Sequence, residues 1–270
     1  MKKILLTCVN FNSYKELNSY LQSIADSFSL LSDDIAELDV LISDNSLNRE
    51  NIKNLYGLNV KVIVNDNIGY LSGAFSTLKY ISCITAYDYW IISNVDLKVE
   101  RNFFQQLVNL EIENNVGWIA PSIVSITEHK DRNPKVMNRY SGNKMKIFKI
   151  LYKYPILHFL YERLLYPLKR YKSFGIAEKK CRKIYAGHGS FMILTKSFFQ
   201  SKSKWSYPVF LFGEELYLAE EVRNHNMEVI YEPTLQVIDI DHVSTSKMKR
   251  KSYYESNLNA VNFIYETYYK

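Results

Sequence analysis

The sequence predicts an α/β protein with a mainly parallel sheet between layers of helices, and two observations support this. Apolar runs of strand length recur, beginning with residues 4–9, 38–43 and 60–64, and stretches with helical spacing of apolar residues occur among them. Such alternation is typical of parallel sheets covered by helices. Each run also ends in polar residues. Because the carboxyl ends of parallel strands meet at one edge of a sheet, we expect a ligand site there.

The composition sets broad limits on the class of protein. With 270 residues, 47% hydrophobic and 23% charged, the chain is long enough to bury a large core and too apolar to be disordered. The net charge of +6 favours an anionic partner, which the charge alone does not identify. Three widely spaced cysteines argue against a disulfide framework or a zinc site. No segment predicts a signal peptide or a membrane span, so we expect a cytoplasmic protein.

The first half of the chain carries four of these strands. A helix follows the first strand, because Leu17 and Leu21 fall on one helical face, and residues 67–74 open another helix after the third strand. The fourth strand begins at Tyr89 and ends in the segment 93–96, where it places a carboxylate at the edge that open sheets use for ligands. A solvated turn after an ordinary strand has the same sequence signature.

A helix beginning at Phe103 and a strand over residues 116–124 complete this half. Pro121 within that strand predicts an edge position or an early end. The following residues, 126–183, mix lysine and arginine with aromatic and aliphatic side chains at helical spacing. Two hypotheses fit this basic insert, namely a helical cover packed on its own domain and a surface that contacts anionic lipid or a lipid-linked substrate.

The remaining chain returns to strand and helix patterns. A strand pattern covers residues 184–195, two acids open a helix at Glu214, and a further strand is predicted to end at Pro233. We therefore divide one domain, residues 1–270, into a first half (1–125), the basic insert (126–183), a second half (184–246) and a C-terminal helix (247–270).

Six short motifs occur along nearly the whole chain, at residues 7–13, 43–46, 67–70, 94–96, 212–216 and 241–246. Their order resembles that of the inverting family-2 glycosyltransferases of the GT-A fold, and especially their bacterial rhamnosyltransferase-like branch. The resemblance implies a Rossmann-like sheet of the GT-A type, in which residues 1–125 form the nucleotide-binding half and residues 184–246 the acceptor and catalytic half. It also implies a metal-dependent enzyme that moves a sugar, with inversion, from a nucleoside-diphosphate sugar to a glycan acceptor. That acceptor would be lipid-linked, in bacterial surface polysaccharide synthesis at the inner face of the plasma membrane, with no role for nucleic acid.

The resemblance also assigns roles to individual residues. It implies that the nucleotide sugar is bound by Asn10, Asp44, Asn67, Gly69 and Asn94. It implies that Asp96 and His242 hold a divalent cation, Mn²⁺ or Mg²⁺, which stabilises the leaving diphosphate. A structural role for an isolated histidine near a strand end is equally common.

The acceptor hydroxyl must lose a proton as it attacks, so a carboxylate base is required. The resemblance places this base at Glu215, although Glu214 beside it remains an alternative, and two acids in the first turn of a helix are also favourable for structure alone. The sequence departs from the family pattern at Glu215 and Tyr217, where the family has aspartates, at Asn94 in the Asp-x-Asp element, and at Phe75.

These departures motivate a second hypothesis, a catalytically weak or inactive relative that binds a nucleotide sugar or a partner protein. A dehydrogenase or a P-loop kinase fits poorly, because the first strand is not followed by Gly-x-Gly-x-x-Gly and the sequence has no Gly-Lys-Ser/Thr loop.

Overall fold

The computed structural model describes residues 1–52, 54–172, 180–240 and 249–270, with the backbone alone for 165–172. In these ranges the chain forms one mixed sheet between helices. The strands are β1 (Lys2–Asn10), β2 (Ala36–Asp44), β3 (Asn59–Val64), β4 (Tyr89–Asn94), β5 (Leu97–Val99), β6 (Val116–Ser125), β7 (Lys130–Asp131), β8 (Arg182–Ile184), β9 (Phe191–Thr195) and β10 (Glu228–Asp239). The helices are α1 (Tyr14–Phe28), α2 (Tyr70–Ser76), α3 (Phe103–Asn109), α4 (Gly142–Lys153), α5 (Pro155–Lys172), α6 (Lys196–Ser201), α7 (Glu214–Asn224) and α8 (Arg250–Tyr268).

The strand order along the described sheet is β3-β2-β1-β4-β9-β6-β10-β5, with β7 beside β6 and β8 beside β10. Strands β3, β2, β1 and β4 pair in parallel, as do β6 and β10. Strand β9 runs antiparallel between β4 and β6, so β6 and β10 point the same way as β1–β4. This arrangement confirms the predicted α/β class with a mainly parallel mixed sheet.

Both faces of the sheet are buried, because successive strand residues point to opposite sides. In β4, Trp90 packs with Phe75 of α2 in one core layer, whereas Ile91 belongs to a second layer with Tyr20 of α1 and Phe103 of α3. All five side chains are buried. Apolar side chains on both faces fix the strand register, since a slip by one residue would exchange the two layers.

This register aligns the polar strand ends. In the parallel ladders Asn10 of β1 lies opposite Asp44 of β2, and Val9 lies opposite Asn94 of β4. The carboxyl ends of β1, β2 and β4 therefore meet at one edge, as the sequence predicts.

Two expectations about prolines are wrong. Pro121 lies inside β6, a central strand between β9 and β10, and β10 continues beyond Pro233 to Asp239. The ladder is irregular at this point, because Glu232 pairs with Pro121 but the next pair on β10 begins at Gln236. Pro121 also lies beyond the pairs that β9 forms with β6. Neither proline is therefore required to donate a ladder hydrogen bond.

Part of the basic insert covers its own domain. Helix α4 packs on α8, where Met145 of α4 is fully buried with Val261 and Ile264 of α8. In the described ranges of the chain, no helix is long and apolar enough to cross a membrane.

Candidate active site

A cleft of about 450 Å³ opens at the carboxyl edge of the sheet. Six of the residues predicted from the sequence line it: Asn67, Gly69, Asn94, Asp96, Glu214 and Glu215. Asn10 and Asp44 are buried beside the cleft and do not line it, and His242 lies outside the described residues. The fold thus brings together residues 67–69, 94–96 and 214–215. These three segments are up to about 150 positions apart in the sequence, from residue 67 to residue 215.

Asn10 and Asp44 form the centre of a buried hydrogen-bond network. The Asn10 side-chain amide donates to Asp44 Oδ1 (3.1 Å) and to Ser46 Oγ (3.2 Å). The Tyr14 hydroxyl donates to Asp44 Oδ2 (2.7 Å), and Asp44 is only 4% exposed. Since buried polar groups with partners resist rearrangement, this network fixes the loop that follows β2.

That loop brings Asn45 into the cleft, a residue that the sequence analysis did not assign. Asn45 Nδ2 donates to the carbonyl of Gly69 (2.9 Å), which joins the end of β2 to the start of α2. The signal for Asn45 was available, because it follows Asp44 within the same motif.

Gly69 is a position that only glycine fits. Its φ is +92°, and a Cβ atom there would lie 2.1 Å from the carbonyl oxygen of Phe210. The loop before α7 therefore packs directly on the backbone at the start of α2.

The second group of side chains lies at the ends of β4 and β10. The Asn94 backbone N–H donates to the Ser190 carbonyl (2.9 Å), and the Ile240 N–H donates to the Asp96 carbonyl (3.2 Å). Asp239, which precedes Ile240, lines the cleft and forms an ion pair with Arg132 (Nε to Oδ2, 3.1 Å). Two carboxylates and one guanidinium are thus gathered at this point.

Among the described side chains, the cleft offers few groups that could serve as ligands of a divalent cation. Within the described ranges, no group of three or more histidine, cysteine, aspartate or glutamate side chains is arranged to hold a metal ion. Asp96 supplies hard oxygen, which suits Mg²⁺ or Mn²⁺ when a substrate's phosphate oxygens complete the coordination. The residues present fit a cation that arrives with a diphosphate, and the pairing of Asp96 with His242 stays a prediction.

Glu214 and Glu215 begin α7 directly after Gly213, whose φ is +79°. Glu214 is 7% exposed and accepts a hydrogen bond from the Phe212 backbone N–H (2.9 Å). Burial, together with the charge of Glu215, raises the pKa of Glu214 to about 8. At neutral pH Glu214 is therefore mainly protonated.

Glu215 lines the cleft against Gly189, where an added Cβ would lie 3.3 Å from the Glu215 carboxyl carbon. The Tyr70 hydroxyl donates to the Gly189 carbonyl (2.9 Å). Burial and then the charge of Glu214 raise the pKa of Tyr70 well above its usual value, so this hydroxyl remains protonated.

Two departures from the family pattern have structural explanations. The Tyr217 hydroxyl donates to the Ser206 carbonyl (2.9 Å), and its buried ring stacks near Tyr207 at 4.7 Å between centroids. Phe75 packs on Trp90 in the core of the sheet. Both aromatic residues belong to the core layer under the cleft.

The sequence analysis missed a segment, residues 131–136, that borders the cleft. The Asp131 Oδ1 atom accepts from the backbone N–H groups of Ile123 (2.9 Å) and Asn133 (2.8 Å), and Val136 forms a two-way backbone bridge with Ala186. These contacts hold the segment that brings Arg132 and the exposed Lys135 to the cleft. Its polar composition, which predicted only a loop, gave no signal of this order.

His188 lies in the connection between β8 and β9, where the sequence predicts a strand pattern over residues 184–195, and it also lines the cleft. Its backbone N–H donates to Asn133 Oδ1 (2.8 Å), and its Nδ1 atom accepts from the Ser190 backbone N–H (3.2 Å). Because a backbone N–H can only donate, this bond leaves Nδ1 unprotonated and places the ring hydrogen on Nε2. A lone histidine between glycines carried no motif by which to find it.

Comparison with known proteins places this architecture among glycosyltransferase structures of the GT-A type. No family model matches the sequence, and no curated protein matches it either. Among solved structures, the chain is similar to GalNAc-T7 with UDP, GalNAc and Mn²⁺, with a TM-score of 0.59, 13% identity and 90% of this chain covered. It is also similar to TarS of S. aureus, with a TM-score of 0.55, 9% identity and 100% of this chain covered.

These similarities confirm the predicted GT-A type fold. The matched regions are 45% of the GalNAc-T7 chain and 44% of the TarS chain, so this chain spans less than half the length of either protein.

Proposed function

We propose that this protein is an inverting glycosyltransferase that moves a sugar from a nucleoside-diphosphate sugar to a glycan acceptor. One observation carries the proposal, which is that a single cleft at the carboxyl edge of the sheet gathers the Asn67–Gly69 element, Asn94 with Asp96, and Glu214 with Glu215. The motif order, which resembles family-2 enzymes of the rhamnosyltransferase-like branch, supports the same conclusion. The fold shared with GalNAc-T7, which was solved with UDP, GalNAc and Mn²⁺, supports glycosyl transfer from a nucleotide sugar but does not bear on inversion.

In this proposal the donor nucleotide binds along the start of α2. Asn67, Gly69 and Asn94 line that part of the cleft, together with Asn45. Asp44 Oδ2 accepts one hydrogen bond, from Tyr14, and a carboxylate oxygen has a second lone pair that a nucleobase N–H can use. Asn10 supports Asp44 in this role.

Asp96, with His242 as a second ligand, would hold a divalent cation, Mn²⁺ or Mg²⁺. Such a cation supplies positive charge that stabilises the leaving diphosphate. Lys135, which is exposed at the same cleft, contributes positive charge from the chain itself.

The chemical step in this proposal uses Glu215 as the base. Glu214 retains its proton at neutral pH because burial raises its pKa to about 8, whereas Glu215 lies at the cleft wall beside Gly189. The acceptor hydroxyl oxygen forms a bond to the anomeric carbon while the bond from that carbon to the diphosphate breaks. The hydroxyl proton passes to a Glu215 carboxylate oxygen.

We further propose that the acceptor is linked to a lipid and that the enzyme acts in polysaccharide synthesis, in the cytoplasm at the inner face of the plasma membrane. The exposed apolar and basic helices of the insert support this choice of acceptor.

The test is release of nucleoside diphosphate from a panel of nucleotide sugars with and without Mn²⁺. We expect turnover of at least one donor that depends on Mn²⁺ and falls roughly 10²-fold or more in Asp96→Ala. Asp66→Ala is the matched control, because Asp66 is an exposed acid near the same cleft that does not line it.

The departures from the family pattern at Asn94, Glu215 and Tyr217 support a second candidate function, a catalytically weak or inactive relative that binds a nucleotide sugar or a partner protein. Nucleotides that raise the unfolding temperature without any metal-dependent turnover of their sugars would favour this second function and contradict the first.

A further inference from the structure

Helix α5 exposes an apolar stripe along one face. Ile156, Leu160 and Leu164 recur at intervals of four residues, and their side chains are 76%, 45% and 70% exposed. Residues at this spacing lie on the same side of a helix. Leu157 and Phe159 beside the stripe are also about half exposed. This is a contiguous surface, unlike the single apolar side chains that soluble proteins commonly expose.

The opposite side of α5 faces the protein through polar and aromatic groups. His158 Nδ1 lies 3.0 Å from the Tyr254 hydroxyl of α8, and its ring packs beside Tyr152 of α4 at 5.3 Å between centroids. An amphipathic helix on a water-soluble domain turns its apolar stripe toward the core. In α5 the orientation is reversed, with an imidazole inside and aliphatic side chains outside.

Helix α4 extends this surface. Its buried face, which includes Met145 and Leu151, packs on the domain, whereas Ile147, Ile150 and Tyr154 next to the helix end are about half exposed. We call the exposed side chains of both helices the α4–α5 apolar surface. Its members are Ile147, Ile150, Tyr154, Ile156, Leu157, Phe159, Leu160 and Leu164.

Basic side chains accompany this surface. Lys146, Lys153 and Arg163 are exposed on the same two helices, and Glu162 is the one acidic residue on their described parts. Lys149 also lies on α4 but forms an ion pair with Glu266 of α8 (3.1 Å). Cationic side chains beside aliphatic and aromatic ones are the composition that binds the interface of an anionic bilayer.

We propose that the α4–α5 apolar surface docks on an anionic lipid bilayer, with Ile156, Leu160 and Leu164 entering the interface. A second copy of this chain fits the surface poorly, because a symmetric contact would bring the same lysine and arginine side chains of two copies together. The inference deepens the proposed function and to that extent rests on it, since a docked enzyme meets a lipid-linked acceptor at the bilayer surface.

The experiment is flotation of the purified full chain with vesicles made of equal parts phosphatidylcholine and phosphatidylglycerol. We expect the wild type to float with these vesicles, and to float less with pure phosphatidylcholine or at high salt. The triple variant Ile156→Ser, Leu160→Ser, Leu164→Ser should lose roughly tenfold or more of its partition coefficient, because three aliphatic side chains no longer enter the interface.

A second triple variant, Ile35→Ser, Leu47→Ser, Ile126→Ser, is the matched control. It removes three exposed apolar side chains outside the α4–α5 apolar surface and should float as the wild type does. Both variants should keep the wild-type unfolding temperature, since the replaced side chains are exposed.

A wild type that stays with the dense fraction, or equal loss of flotation in both variants, would overturn the proposal. So would a dimer in sedimentation velocity that the first triple variant abolishes without any vesicle binding, because that result assigns the surface to a second copy. A separate measurement, the change in unfolding temperature on adding UDP, GDP or dTDP, tests the proposed function independently of membrane docking. Flotation without any nucleotide effect would retain the docking surface and count against the glycosyltransferase.

Discussion

The cleft has two unlike sides. On one side, which we call the amide side, Asn45 lines the cleft, and Asn10 and Asp44 lie buried beside it, with hydrogen bonds that join these residues to one another and to the backbone. On the other, the acid side, Glu214 and Glu215 are adjacent carboxyls, and burial holds one of them in its protonated form. Polar groups that hold a loop contribute to folding, whereas carboxyls that crowd each other oppose it. Substitutions on the amide side should therefore lower mainly the stability of the protein, and substitutions on the acid side mainly its activity.

The largest expected effect lies on the acid side. Glu215→Gln should lower the rate of sugar transfer by roughly 10²- to 10⁴-fold, because the amide cannot accept the acceptor's proton. Nucleotide affinity, measured by titration calorimetry, should stay within a few fold. Glu214→Gln is the paired variant and should retain more activity. Full activity of Glu215→Gln with loss in Glu214→Gln would instead assign the base to Glu214.

The next effect tests how the amide side is built. Gly69→Ala should lower the free energy of unfolding by about 2–4 kcal/mol, since it combines a left-handed backbone with a Cβ 2.1 Å from the Phe210 carbonyl oxygen. Gly57→Ala is the control, because Gly57 has a φ of +76° with open space around it, and should cost about 1 kcal/mol. Urea unfolding measures the loss of unfolding free energy in both variants, and the extra loss in Gly69→Ala reports the clash with Phe210. Equal losses in the two variants would contradict that clash.

A smaller loss is expected from the centre of the network. Asp44→Ala should cost about 2–3 kcal/mol, because the Asn10 amide, the Tyr14 hydroxyl and the Ser46 N–H lose a buried acceptor. Asp39 lies on the same strand and accepts from Asn59 and Tyr87 at a half-exposed position. Asp39→Ala should therefore cost less than Asp44→Ala in the same urea experiment, since water can replace its bonds. Equal losses of unfolding free energy in the two variants would mean that burial of Asp44 does not strengthen the contribution of its hydrogen bonds.

The last effect is gradual, a pH dependence of stability of at most about 1.4 kcal/mol per pH unit for a single group. The pKa of Glu214 is raised from 4.5 to about 8 in the folded protein, so the folded state binds more protons than the unfolded state between these values. The stability gained from this group is complete below pH 4.5 and is lost as pH rises toward 8. Unfolding free energies of wild type and Glu214→Gln should thus diverge with rising pH, with the wild type falling relative to the variant. A constant difference from pH 5 to 9 would contradict the raised pKa.

The fold and the amide side were largely predictable because their signals are local. Apolar strands that end in polar residues set the parallel ladders, and the ladders bring Asp44 and Asn94 to one edge. The resemblance pointed to Gly69, and the close contact of its backbone with Phe210 supplies the physical reason for a glycine there.

Other features depend on contacts between distant segments, which a single sequence does not encode locally. Strand β9 inserts between β4 and β6 after about 65 intervening residues, counting from Ser125 to Phe191. Arg132 reaches the cleft because Asp239, more than 100 positions away, pairs with it. The raised pKa of Glu214 likewise arises mainly from burial in the folded protein, which its sequence position does not reveal.

Among the hydrogen bonds that join the two sides of the cleft, that of the Tyr70 side chain reaches nearest to Glu215. The Tyr70 hydroxyl, next to Gly69, donates to the carbonyl of Gly189, which in turn packs against Glu215. A single neutral hydrogen bond contributes about 1 kcal/mol net. A coupling free energy of that size changes an affinity by about fivefold. If the protein is the proposed glycosyltransferase, cooperativity between its two substrates through this bond alone is therefore limited to about fivefold, which is compatible with substrates that bind in either order.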